Sequence, residues 1–121
     1  MSSWKAISDM VYDDLKNHTP LVDLLPNGED GIYPLIAEAH EGKKYINYFT
    51  LYQGKPSKDG QYSFQVIVHT WADDYDEAIA IADEVLNAFG ASSNGYSVVS
   101  GKPVFNDQDE FYIEQIFNIK K

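Results

Sequence analysis

Asp73, Asp74, Asp76 and Glu77 form the densest group in the chain that could do chemistry. Clustered carboxylates can hold a divalent cation through their oxygens. Here, however, the run opens a strong helical pattern. Asp74 is placed to cap the first turn, Glu77 to complete a capping box, and the negative charges meet the positive end of the helix dipole. Asp30, Glu38 and Glu41 are scattered, without the alternating spacing of a calcium loop. His18, His40 and His69 include no pair at local ligand spacing. His69 lies mid-strand beside Trp71 and reads as a hydrogen-bonded structural histidine. No serine sits in a Gly-x-Ser-x-Gly elbow, and no helix follows Gly54 or Gly60 to make a phosphate loop. The absence of cysteine removes thiolate nucleophiles, disulfides and cysteine-ligated zinc together. The expectation is no catalytic residue, no metal site and no cofactor: not an enzyme.

The aromatic residues are the better lead. Nine tyrosines, six phenylalanines and two tryptophans fall largely on strands that look apolar on both faces, more than two short helices can cover. Tyrosine and tryptophan are favoured where one protein meets another. The reading is therefore a sheet or helix face buried against a second copy, with Tyr48, Tyr52, Trp71, Tyr75, Ile79 and Ile81 as the interface candidates. The turn Gly54–Gly60, carrying Lys55, Lys58 and Asp59, is either a contact to an acidic neighbour or a solvated tip.

The elements that position these residues follow from periodicity. Ser2 and Ser3 offer a cap, and Trp4, Ile7, Met10 or Val11, and Leu15 follow at helical spacing. Pro20 ends that helix near Asn17. Leu21 to Leu25 make one short apolar turn, closed by Pro26-Asn27-Gly28, and the chain becomes extended at Ile32-Tyr33-Pro34. Tyr45 to Tyr52 and Gln61 to Trp71 form a long antiparallel hairpin. Tyr62, Phe64, Val66, Val68 and Thr70 share one face of its second strand, and Ser63, Gln65, Ile67, His69 and Trp71 share the other. The second helix follows Asp74, with Tyr75, Ala78, Ile79, Ala82, Leu86 and Phe89 apolar and Gly90 as its stop. Ala78 to Ala82 wraps apolar surface nearly all round, the mark of a helix buried on more than one side. Tyr96 to Phe105, broken by Gly101-Lys102-Pro103, is irregular or at an edge. Asn106 to Asp109 turns it into Phe111–Ile119. The fold class is α+β: a mainly antiparallel sheet of about four strands packed against two helices, in one domain over residues 1–121.

Composition narrows the partners. Nineteen carboxylates face nine basic residues, all lysine, for a formal net charge of −10. Without arginine there is no planar fork to grip phosphate or a guanine edge, which speaks against a sequence-reading DNA binder. With 44% hydrophobic and 23% charged residues the chain has the composition of a globular domain, not a disordered one. No stretch approaches the ~20 apolar residues that span a bilayer, and Met1-Ser-Ser-Trp-Lys lacks a signal peptide's pattern, so the expectation is a soluble protein made in a cytoplasm.

Taken together, these segments resemble the phage tail completion (tail terminator-like) family of siphophages and prophages. The resemblance runs from about Leu15 to Leu86. Its pieces are a helix leading into Leu21-Val-Asp-Leu-Leu25, then Ile32-Tyr33-Pro34, then a hairpin ending Val68-His-Thr-Trp71. That strand runs straight into Ala72-Asp-Asp-Tyr-Asp-Glu-Ala78 and the Ala/Ile-rich helix. The chain departs from the family at Gly31, where arginine is frequent, and its last two strands match only in pattern.

The resemblance implies a structural role. Such proteins are ring-forming caps, typically hexameric, on the upper end of the tail tube, where they stop polymerisation and join the tube to the neck of the capsid. The partners so implied are further copies of the chain, the tube protein and the neck or head-completion proteins, with no membrane. The place implied is the virion tail, and the host cytoplasm during assembly. DNA would pass through without specific binding, which suits a carboxylate-rich surface that repels phosphate over about 8–10 Å. The alternative reading of the same charge and aromatics is a small acidic binding module, such as an inhibitor or immunity protein against a basic nuclease.

Overall fold

Ser3 begins the first element: its hydroxyl accepts from the Ala6 N–H at 3.0 Å and caps helix α1, Trp4–Lys16. The structure, a computed structural model, describes residues 3–35, 44–54, 60–105 and 110–121. Ile7, Val11 and Leu15 are the buried stripe of α1, one turn apart as the periodicity requires. After Asn17, Pro20 stands in the first turn of a four-residue helix, α2, Thr19–Val22, which drives Leu21 into the core. Gly28, at φ +59°, then turns the chain into a short 3₁₀ segment ending at Gly31.

Five strands form one sheet: β1 (Ile32–Pro34), β2 (Tyr45–Tyr52), β3 (Ser63–Trp71), β4 (Ser97–Phe105) and β5 (Phe111–Lys120). Their spatial order is β1-β2-β3-β5-β4. The hairpin pairs Tyr45 with Trp71 through to Tyr52 with Phe64. The α+β class and the mainly antiparallel sheet stand, and the strand expected only as an extended segment, Ile32–Pro34, is the fifth. It pairs parallel with Ile46–Tyr48. Three residues ending in proline carry too little alternation to announce a strand, and a parallel partner leaves no hairpin signal between the two runs. The hairpin tip with Lys55, Lys58 and Asp59 lies outside the described residues, as does the turn at Asn106–Asp109.

Helix α3 (Tyr75–Ala91) lies with α1 on one face of the sheet. Asp74 Oδ1 accepts from the Glu77 N–H at 2.8 Å, the expected cap. Glu77 does not close the box; its Oε1 lies 3.0 Å from Lys44 Nζ. Between the layers the core is continuous: Phe64, Val66, Val68, Phe117 and Ile119 from the sheet meet Ile7, Val11, Leu15, Ile81, Val85 and Phe89 from the helices. Burying such side chains stabilises by about 1.5–3 kcal/mol each.

Gly90 is not the helix stop. The helix runs on to Ala91 and ends at Ser92, whose N–H donates to the Phe89 carbonyl at 3.3 Å. Gly90 has no positive φ, and a Cβ added there meets nothing within 4 Å. Gly90→Ala is therefore expected to raise unfolding stability by about 0.5–1 kcal/mol, chiefly by restricting the unfolded chain. Urea denaturation checks this, and an unchanged or lower midpoint would contradict it.

Candidate functional site

Alternation along the strands gives the sheet two unlike faces. One, described above, is covered by α1 and α3. The other carries Tyr45, Asn47 and Phe49 from β2, Ile67, His69 and Trp71 from β3, and Tyr112, Glu114 and Ile116 from β5, and among the described residues no helix lies on it. Its rings pack mainly against one another. Tyr45 stacks on Trp71 with centroids 5.8 Å apart, Tyr112 lies 4.7 Å from Trp71 and 4.4 Å from His69, and Phe49 meets His69 edge-on at 5.6 Å. Burial beneath this layer pushes the Tyr45 hydroxyl above its ordinary pKa, assisted by the charge of Glu110.

Two polar devices are set into this face. Trp71 Nε1 donates to Asn47 Oδ1 at 2.8 Å, and Asn47 Nδ2 donates to the Leu35 carbonyl at 3.1 Å. The second bond, with Leu35 N–H to Tyr48 carbonyl at 2.7 Å, holds Leu35 at φ 64°, a conformation that leucine rarely adopts. The other device is His69, with Nε2 3.1 Å from Glu114 Oε2. A carboxylate fixes the orientation of such an imidazole. His18 is likewise 3.1 Å from Glu84 Oε2, a partner 66 residues away that no local spacing announces. Among the described residues no three histidines or carboxylates come together to hold a metal ion.

The six interface candidates do not form one patch. Tyr48 is 5% exposed and Ile81 2%, so both lie in the core and offer no surface to a second copy. Tyr48 points toward the helices and stacks on Tyr12, and burial raises its hydroxyl pKa. The reason is that β2 is apolar on both faces, and alternation alone does not say which face the helices take. Tyr52 is exposed on the helix side, next to Trp4 and Phe64. Trp71 is half-buried on the opposite face. Tyr75 and Ile79 lie on α3, Tyr75 exposed and Ile79 packed partly against Ala78, Ala82 and Ile113.

Sequence reasoning missed two groups. The first is the set of apolar side chains exposed at the flanks of the sheet: Trp4 (52%) and Leu51 (41%) toward β2, Val98 (64%) and Phe105 (74%) on β4. The edge character of β4 was readable from Pro103, but the exposure of its valines was not. The second is a clasp on Asp14, whose Oδ2 accepts from Ser92 Oγ at 3.0 Å, Asn94 Nδ2 at 2.9 Å and Tyr96 Oη at 2.6 Å. It ties α1 to the loop that enters β4. Asp14 sits on the polar side of α1 and gives no sign in the sequence of being anything but solvated.

No protein-family model matches the chain, and no curated protein matches it.

Proposed function

We propose that this chain is a structural protein of a phage or prophage tail, a ring-forming cap that closes the tail tube and joins it to the neck. The observation that carries the reading is the Trp71–Ala78 string, the most specific part of the family resemblance. The fold uses that string as one working junction, with Trp71 ending β3, Asp74 capping and Tyr75 opening α3. The α+β architecture agrees with the sheet-on-helices fold that the resemblance implies. Exposed apolar groups on both flanks of the sheet supply surface that a ring would cover.

Charge fits the passage of DNA. Of the six lysines among the described residues, Lys5, Lys16 and Lys44 lie within 2.7, 3.6 and 3.0 Å of Asp9, Asp13 and Glu77. Carboxylates outnumber lysines nineteen to nine, for a net charge of −10, and ring closure multiplies that charge by the number of copies. Double-stranded DNA is therefore expected to show no binding at physiological salt in a fluorescence anisotropy titration. A micromolar complex there would contradict the reading.

Native mass spectrometry over a range of protein and salt concentrations tests the ring. The expected result is a closed species of one size, or a reversible approach to it that salt strengthens by screening like charges. The aromatic face of the sheet opposite α1 and α3, with the net charge of −10, favours one second reading, an acidic inhibitor of a basic nuclease. In that case the chain stays monomeric and forms a one-to-one complex with its target.

A further inference from the structure

The helical layer stops short of β4. α3 lies over β3 and β5, where Phe89 meets Phe117 and the Ala82 carbonyl accepts from Gln115 Nε2 at 3.1 Å, and β4 is the next strand out. Register fixes which β4 side chains point to the helix side. Val98 stands opposite Phe117, Gly101 opposite Gln115, Pro103 opposite Ile113 and Phe105 opposite Phe111. None of these four is charged, and Val98 and Phe105 are largely exposed.

The flank of α3 that borders this strip is apolar too. Tyr75, Ile79 and Leu86, spaced by four and seven residues, share one stripe. The Tyr75 ring lies 6.5 Å from Phe111, and Ile79 packs against Ala78, Ala82 and Ile113, so the stripe faces β5 and β4. Glu84, 3.1 Å from His18, marks the opposite flank. Together they make an open apolar ledge, with β4 as its floor and α3 as its wall. From Val98 to Phe105 the floor runs about 23 Å, the length of about 15 residues of α-helix.

Charge narrows what can lie there. Residues 72–121 carry ten carboxylates against three lysines, Asp107 and Asp109 included, and so hold −7 of the net −10. Asp76 and Asp83, three and four residues from Ile79, border the stripe and are exposed. Among the described residues neither is in an ion pair. The lysines do not offset them. Lys102 stands opposite Glu114 and Lys120 opposite Ser63, both on the other face, and Lys121 Nζ donates to Asn94 Oδ1 at 3.2 Å. A second copy, itself at −10, is repelled from such a rim.

We propose that the ledge between α3 and β4 docks a basic amphipathic helix of another protein. Laid beside α3, that helix continues the layer over β4 and covers Val98 and Phe105, while its lysines or arginines meet Asp76 and Asp83. The site requires no ring, so a chain that fails to close one still carries it.

The probe is a synthetic 15-residue peptide with leucine at every third or fourth position and lysine elsewhere. It is titrated into the ¹⁵N-labelled chain at physiological salt and followed by amide chemical shifts. Saturable shifts are expected at 75–90 and 97–105, and a scrambled peptide without the leucine stripe should give none. Leu86→Ser with Val98→Ser, and Asp76→Lys with Asp83→Lys, should each weaken binding by about tenfold or more. Asp23→Lys with Glu29→Lys makes the same change in net charge elsewhere and should leave binding within about twofold. All six positions are exposed, so melting midpoints within a few degrees of the parent are expected. The map on the unaltered chain needs no variant. Shifts centred on Tyr45, Trp71 and Tyr112, no saturable shift at millimolar peptide, or equal weakening by the control pair would overturn the proposal. Shifts at 75–90 and 97–105 that grow with protein concentration alone would make the ledge a contact between copies, which also overturns it. Native mass spectrometry decides the ring separately.

Discussion

Replacing Phe89 with alanine will destabilise the folded chain by about 4 kcal/mol, the largest effect expected of any single change considered. Phe89 is buried in the last full turn of α3 and joins three elements through its ring. It stacks on Tyr96 with centroids 4.0 Å apart and receives Phe117 of β5 edge-on at 4.7 Å. Alanine removes the transfer energy of the ring and leaves a cavity that three separate elements would have to collapse to fill. In a domain of this size the loss corresponds to roughly 10–20 °C in melting temperature. Urea denaturation measures it directly, and a cost below about 1 kcal/mol would show that the aromatic trio is not a fixed part of the core.

The second large effect is Asp14→Ala, expected to cost about 3 kcal/mol. The three donors on Oδ2 come from Ser92, Asn94 and Tyr96, so removing the carboxylate leaves partly buried polar groups without their acceptor. It also loosens the segment that leads into β4. Tyr96 adds a pH signature. Burial, with the hydrogen bond and negative charge of Asp14, pushes its phenol pKa well above the ordinary tyrosine value. The folded state therefore favours the protonated phenol. The stability this contributes is fully present below the unfolded pKa of about 10 and is lost as pH rises beyond it toward the folded value. Above about pH 10 the stability of the parent should fall more steeply than that of Tyr96→Phe, by up to about 1.4 kcal/mol per pH unit for the one proton. Tyr45 and Tyr48, also raised by burial, keep some slope in both. Equal slopes in the two proteins would contradict the clasp.

Local signals were the legible ones. Ser3 and Asp74 cap where their positions in the sequence indicate, the long hairpin pairs as its alternation requires, and Gly101-Lys102-Pro103 places β4 at the edge. What escaped was long-range. Tyr48 and Trp71 are both aromatic residues on two-faced strands, and only the docking of α1 sends Tyr48 inward and leaves Trp71 on the opposite face. Ile81 lies in an apolar run whose spacing alone does not say which residues turn inward. Asp14 meets partners 78 to 82 residues away, and no local pattern encodes an acceptor shared by three such donors. Gly90 has the residue type of a helix stop, but its φ shows that the freedom of glycine is not used there.

The central claim is that this chain caps the end of a tail tube, and the direct measurement is where it binds. Under this proposal, gold-labelled chain should be added to tail tubes of the phage or prophage in whose genome its gene lies beside tail genes, and the tubes imaged in negative stain. The account predicts label at one end only and no further growth from that end. Absence of label, or label spread along the length of the tube, would contradict it.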